Sequence, residues 1–242
     1  MRGAMLIGAV AATAVILAGC SADAHESHAR GERSFEVGAF QSIALGGSQN
    51  VIVTVGGPHS VRAEGDPDRL ERLDIRVENG ELRIGQRGRS WSFGFSSDHA
   101  AVTVHVTVPA LVSASVGGSG DMRIDRIQSE RFTASVGGSG DIRIGEMRVA
   151  EALFSVGGSG DISAAGAAQR ADVRLAGSGD IHLDRLEVGH ASVSLAGSGD
   201  IVARATETAR VSLVGSGDIQ VNGSARCEVS KQGSGEVRCG TA

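Results

Sequence analysis

The second half of the chain alternates apolar and polar residues around a recurring turn. After each Gly-Ser-Gly stands an acid, then an apolar residue, a variable one and another apolar one. Examples are Asp121-Met122-Arg123-Ile124, Asp141-Ile142-Arg143-Ile144 and Asp180-Ile181-His182-Leu183. A period of two puts the aliphatics on one face of a strand and the acid and its Arg/His neighbour on the other. A second inward set precedes each turn: Phe132, Ala134 and Val136; Phe154 and Val156; Val173 and Leu175; Val193 and Leu195; Val211 and Leu213. Ile127, Met147 with Val149, and Leu186 with Val188 mark a third short strand. The turn serines are Ser119, Ser139, Ser159, Ser178, Ser198, Ser216 and Ser234, in steps of 20, 20, 19, 20, 18 and 18 residues. Two or three strands in that span make one coil of a parallel β-helix, each coil burying its face only against its neighbours. Each buried aliphatic is worth about 1.5–3 kcal/mol, which a lone coil cannot collect.

Residues 35–110 are also β in pattern but lack the repeat. "SIALGGSQNVIVTVGG", "SVRAEG" and "AVTVHVTVP" alternate, and Asn79-Gly80 predicts a tight hairpin between "DIRV" and "LRI". "DPDRLERL" predicts a short helix over 66–73, capped by Asp66 with Pro67 at its first position. Trp91, Phe93 and Phe95 fall on one face of a segment that interrupts the strands. They read either as a patch for a partner or as a loop over the open end of the core. The domain reading is therefore 35–110 as an N-terminal β region and 111–238 as the β-helix. Lys231 stands where earlier coils carry Val or Leu, and Cys227 and Cys239 fill columns of Ala or aliphatics. The last coil thus reads as an end cap that blunts an exposed edge.

The N-terminus reads as a targeting segment. Arg2 gives a positive end, and Ala4–Ala18 is an apolar run too short to span a bilayer but suited to a secretory signal. It ends in Leu17-Ala18-Gly19-Cys20, which resembles the lipobox of bacterial lipoproteins. That resemblance implies a signal peptide over 1–19, lipid on Cys20 and, with Ser21 next, delivery to the outer membrane. Residues 20–34 read as a flexible tether, in which His25 and His28 are solvated.

Glycine is abundant at 36 residues while proline stands at three, a balance that fits many tight turns between apolar strands. The formal charge is −5. Loss of Arg2 with the signal leaves 22 bases against 28 acids, or −6. That disfavours nucleic acid and charge-driven adsorption to anionic lipid. In an exported chain Cys227 and Cys239 make a candidate disulfide.

The repeated acids Asp121, Asp141, Asp161, Asp180, Asp200, Asp218 and Glu236 allow three readings. Calcium needs six to eight oxygens. One carboxylate per coil, with the acid directly after the last glycine, matches calcium-binding repeats poorly. Glycosidase chemistry needs two carboxylates of different acidity, and identical coils give no reason for a difference. The remaining role is structural: serine and acid bonding the backbone amides of the turn itself. No catalytic residue and no cofactor is expected, with calcium on the serines and acids of the turn ladder as the weaker alternative.

"VENGELRI", "VTVPALVSASVGGSGD" and the recurring "GSGDI" resemble the auto-transporter adhesin head domain, or GIN domain, over about residues 35–238. It is a domain of unknown function from bacterial envelopes. The resemblance implies a right-handed β-helix with a less regular β cap, and it brings no catalytic residues. The expected function is a non-enzymatic envelope lipoprotein with an adhesin-like binding domain. Its partner would be a glycan or protein of the envelope or cell surface. Alternatives are a glycan-binding or carbohydrate-active β-helix and a self-assembling scaffold.

Overall fold

The computed structural model describes residues 31–87 and 102–240. The signal segment, Cys20, the tether with His25 and His28, and the aromatics Trp91, Phe93 and Phe95 lie outside the described residues. The elements are β1 (Gly31–Phe35), β2 (Ser42–Leu45), β3 (Asn50–Val55), β4 (Ser60–Gly65), α1 (Pro67–Glu71), β5 (Leu73–Glu78), β6 (Glu81–Gln86), β7 (Thr103–Val108) and β8 (Ser113–Val116). There follow β9 (Met122–Val136), β10 (Ile142–Val156), β11 (Ile162–Leu175), β12 (Ile181–Gly197), β13 (Ile201–Gly215), β14 (Ile219–Asn222), β15 (Arg226–Gly233) and β16 (Val237–Gly240).

The strands wind into an all-β solenoid of about six turns. Consecutive coils pair in parallel, residue over equivalent residue. Met122, Ile142, Ile162, Ile181, Ile201, Ile219 and Val237 form one column. Val136, Val156, Leu175, Leu195 and Leu213 form another. All of these except Val237 are buried, so the inward aliphatics of the sequence make one continuous core. Size is balanced between coils. Phe132 lies over Ala152 in one column, and Ala134 lies over Phe154 in the next. Each coil therefore contributes one large ring, and the two rings avoid each other.

The stack reaches further back than the Gly-Ser-Gly-acid signature. β2 and β3 form a coil of their own, with Ser42 beside Ser113 and Val51 beside Met122. β6 and β7 lie on its far side, parallel to β2 and β3. Stack order thus departs from chain order: the coil of residues 42–55 sits between β6/β7 and β8/β9. β4 and β1 extend the β7 side antiparallel, and β5 extends β6. The β5–β6 hairpin turns through Asn79 and Gly80, both at positive φ (52° and 77°), as the Asn-Gly pair requires. Asp66 caps α1 through its carboxylate and the Arg69 amide, and Leu70 anchors the helix against β1 and β4.

The corners explain the glycines. In each turn two glycines stack on the preceding coil. A Cβ at Gly138, Gly158 or Gly177 would run into the carbonyl oxygen of Gly118, Gly138 or Gly158, well under the 3.0 Å that real side chains respect. Gly140, Gly160 and Gly179 meet Gly120, Gly140 and Gly160 in the same way. The first glycine of the four-residue turn is different. A Cβ at Gly157 reaches only 4.0 Å from the nearest atom, and later coils carry Ala176 and Ala196 there.

At the C-terminal end the core is open. Lys231 lies beside Leu213, and Val229 is 47% exposed where Val211 is buried. Cys227 and Cys239 are joined in a disulfide that ties β15 to β16 across this last coil.

Two outcomes test this account. Gly160→Ala is expected to cost about 3 kcal/mol through overpacking against a rigid carbonyl, while Gly157→Ala stays near wild type; chemical denaturation of both reads the difference. Reducing the disulfide, worth about 3 kcal/mol for so short a loop, should release the last coil alone. Amide exchange would then quicken in β15 and β16 while β10–β12 stay protected.

Candidate functional site

The turn acids form a hydrogen-bonded ladder, and its logic follows from the backbone donors at the corner. In the turn from Gly137 to Ile142, the Gly137 N–H donates to the Val116 carbonyl, and Ser139 and Gly140 both donate to Gly118. Ile142 donates forward to the Asp161 carbonyl. The Asp141 N–H has no carbonyl in reach, and the Asp121 carboxylate accepts it at 3.1 Å. The same bond repeats up the stack. Asp161 donates to Asp141 at 2.9 Å, Asp180 to Asp161 at 2.8 Å, Asp200 to Asp180 at 2.8 Å, Asp218 to Asp200 at 2.9 Å and Glu236 to Asp218 at 2.7 Å. Each acid thus supplies the acceptor that the backbone lacks.

The acids serve the next coil rather than their own turn, which differs from the local bonding expected of them. The turn serines act mainly through their backbone: Ser119, Ser139, Ser159, Ser178, Ser198 and Ser216 donate N–H to a glycine carbonyl of the preceding coil. Among the described residues the one hydrogen bond from a turn-serine hydroxyl runs from Ser234 to Ser216 at 3.2 Å.

The ladder's two ends are built differently. Arg143 binds Asp141 at 2.7 Å and lies 3.7 Å from Asp121, bridging two rungs. Glu236 meets no further coil. Its two oxygens take a fork from Arg238 at 2.8 and 2.7 Å. That hydrogen-bonded guanidinium holds the Glu236 carboxyl below the ordinary glutamate value. A longer side chain at this position thus turns the last carboxylate aside onto a cation. Among the described residues no group of three or more His, Cys, Asp or Glu side chains converges to hold a metal ion.

The lateral face between the corners carries the variable residues. Parallel register stacks Arg131, Glu151, Arg170, His190 and Thr208 in one outward column. Thr133, Leu153, Asp172, Ser192 and Arg210 form the column beside it. Between them runs an open groove of about 700 Å³, lined also by the small residues Ala152, Ala171 and Ala191. Arg131 is held by Glu151 at 2.8 and 2.7 Å, which raises the guanidinium's pKa further, and Arg174 takes a fork to Asp172 at 3.0 and 2.8 Å. These residues come from separate coils, and only the register brings them together.

Asp161→Ala removes the acceptor for the Asp180 amide and is expected to cost about 1.5 kcal/mol, the lower end for a charge-assisted bond at a part-exposed corner. Asp161→Asn keeps an acceptor oxygen and should cost less than about 1 kcal/mol. Paired thermal melts separate the two. Equal losses would mean that the carboxylate's charge, and not its acceptor, supports the corner.

A search of curated proteins finds no match. Among solved structures, a putative adhesin of Bacteroides fragilis superposes with a TM-score of 0.78 at 23% identity, over 87% of this chain and 96% of that one. A putative lipid binding protein of Parabacteroides distasonis gives 0.67 at 21%, over 88% and 97%. A putative adhesin of Parabacteroides merdae gives 0.67 at 17%, over 88% and 96%. At these identities the likeness is one of fold. The family model described as "Putative auto-transporter adhesin, head GIN domain" matches residues 39–225, and the chain belongs to that family.

Proposed function

We propose that the protein is a lipid-anchored envelope adhesin: Cys20 carries the anchor, residues 20–34 form the tether, and the solenoid is a non-enzymatic binding module. The observation that carries this reading is the division of labour within a coil. Inward positions fill the core, the corner acids bond the neighbouring coil, and chemical variety is left to the lateral columns. Such a surface suits recognition by many modest contacts over several coils. Family membership supports the adhesin-like part. The lipobox resemblance supports export and an outer-membrane anchor.

Membrane fractionation and surface labelling of intact cells test the proposal together. The wild-type chain is expected in the membrane fraction and open to an impermeant label. Cys20→Ser should leave the membrane fraction for the soluble one. Retention of that variant in the membrane would overturn the anchor, and absence of labelling in the wild type would overturn surface display.

A further inference from the structure

We propose that the lateral groove over β9–β13 binds an acidic polysaccharide, one bearing carboxylates along its length, with Arg170 as the anchoring cation. This rests on the reading of the solenoid as a binding module and adds the ligand's chemistry and its place.

Charge points first to the ligand's sign. The chain is net acidic at −5, yet this groove is lined by four arginines against two carboxylates, Glu151 and Asp172. Three of the arginines are committed: Arg131 to Glu151, Arg174 to Asp172, and Arg210 to Glu228 at 3.5 Å. Arg170 has no hydrogen bond or ion pair among the described residues, and its planar fork suits a carboxylate. The neighbouring groove, on the other side of Arg170 and His190, carries Glu130, Glu187 and Glu207 against Arg148, which is itself paired to Glu146 at 3.2 Å. An anion is therefore repelled on one side of the Arg170 column and attracted on the other.

The hydroxyls and the repeat point to a saccharide. Thr133, Ser192 and Thr208 line the groove, and Thr208 already meets His190 Nδ1 at 2.9 Å. Coils rise by about 4.8 Å, close to the advance of one sugar in an extended polysaccharide. Successive coils can thus meet successive sugars. Among the described residues the lining includes no Trp, Tyr or Phe ring on which a neutral sugar could stack.

The test titrates the purified mature chain with oligogalacturonate, with its methyl ester of equal length, with polyglutamate and with inorganic phosphate. Oligogalacturonate is expected to bind, and the ester and the other anions much more weakly. Arg170→Gln should weaken oligogalacturonate by about tenfold, the loss of one bidentate pair. Arg123→Gln, an exposed arginine in the column beside the corner acids, should change nothing. Both sites are solvated, so thermal melts should confirm folding. The proposal falls if oligogalacturonate does not bind, if the ester or polyglutamate binds equally, or if both arginine variants weaken binding alike. The assay involves neither Cys20 nor the cell surface, so its failure leaves the anchoring and display experiments to judge the adhesin reading separately.

Discussion

The whole architecture depends on how closely one corner can lie on the next. At two points in every turn, backbone sits on backbone with no room for a Cβ. That approach lets the Gly118 carbonyl take two amides from the coil stacked on it, and it brings each turn acid under the next acid's N–H. Glycine is required there for what it lacks, and the same absence costs chain entropy on folding. The long parallel ladders between coils and the continuous aliphatic columns offset that cost. A corner with one side chain too many would separate two coils along their whole length, since the register of every column passes through it.

This constraint also explains why an acid recurs at every corner. A row of carboxylates on one edge looks like a metal or substrate site. In place, Asp121 through Asp218 each accept the backbone amide of the acid stacked on them. The chemically varied residues lie elsewhere, on flat outward columns where Arg131, Glu151, Arg170, His190 and Thr208 succeed one another. Structure is specified by the repeated positions, and chemical variety is left to the unrepeated ones.

Much of the fold was legible because its signals are local or periodic. The inward columns, the 18–20-residue coil, the Asn79-Gly80 hairpin and the Asp66–Pro67 helix start all follow from spacing. The coil of residues 42–55 was harder to see. It carries Gln49-Asn50 where later turns carry Gly-Asp, and its place in the stack depends on pairing with β6 and β7, which come later in the chain. The partner of each acid was not legible either, since it is an amide 18–20 residues away. The groove was invisible for the same reason: Arg170 is an ordinary exposed arginine until the register sets it among His190, Glu151 and Thr208.

Gln49 has one more consequence. It holds the position of the corner glycines, is buried at 1%, and folds its side chain over Gly47. Among described residues its amide has no hydrogen-bond partner. The forbidden direction at each corner from Gly118 and Gly120 onward points back toward the preceding coil, and the bar on side chains is seen from the coil that follows Gln49 in the chain. The rod therefore has a sense. In chain order it has a founding coil, residues 42–55, that carries Gln49 at this corner, and successors that carry glycine. A gene for such a rod can lengthen or shorten by in-frame duplication or loss of whole coils behind the founder. Each new unit is compatible with its neighbours as soon as it brings its own two glycines and its own acid. Rod length is then a trait that recombination can change in single steps, without redesigning either end.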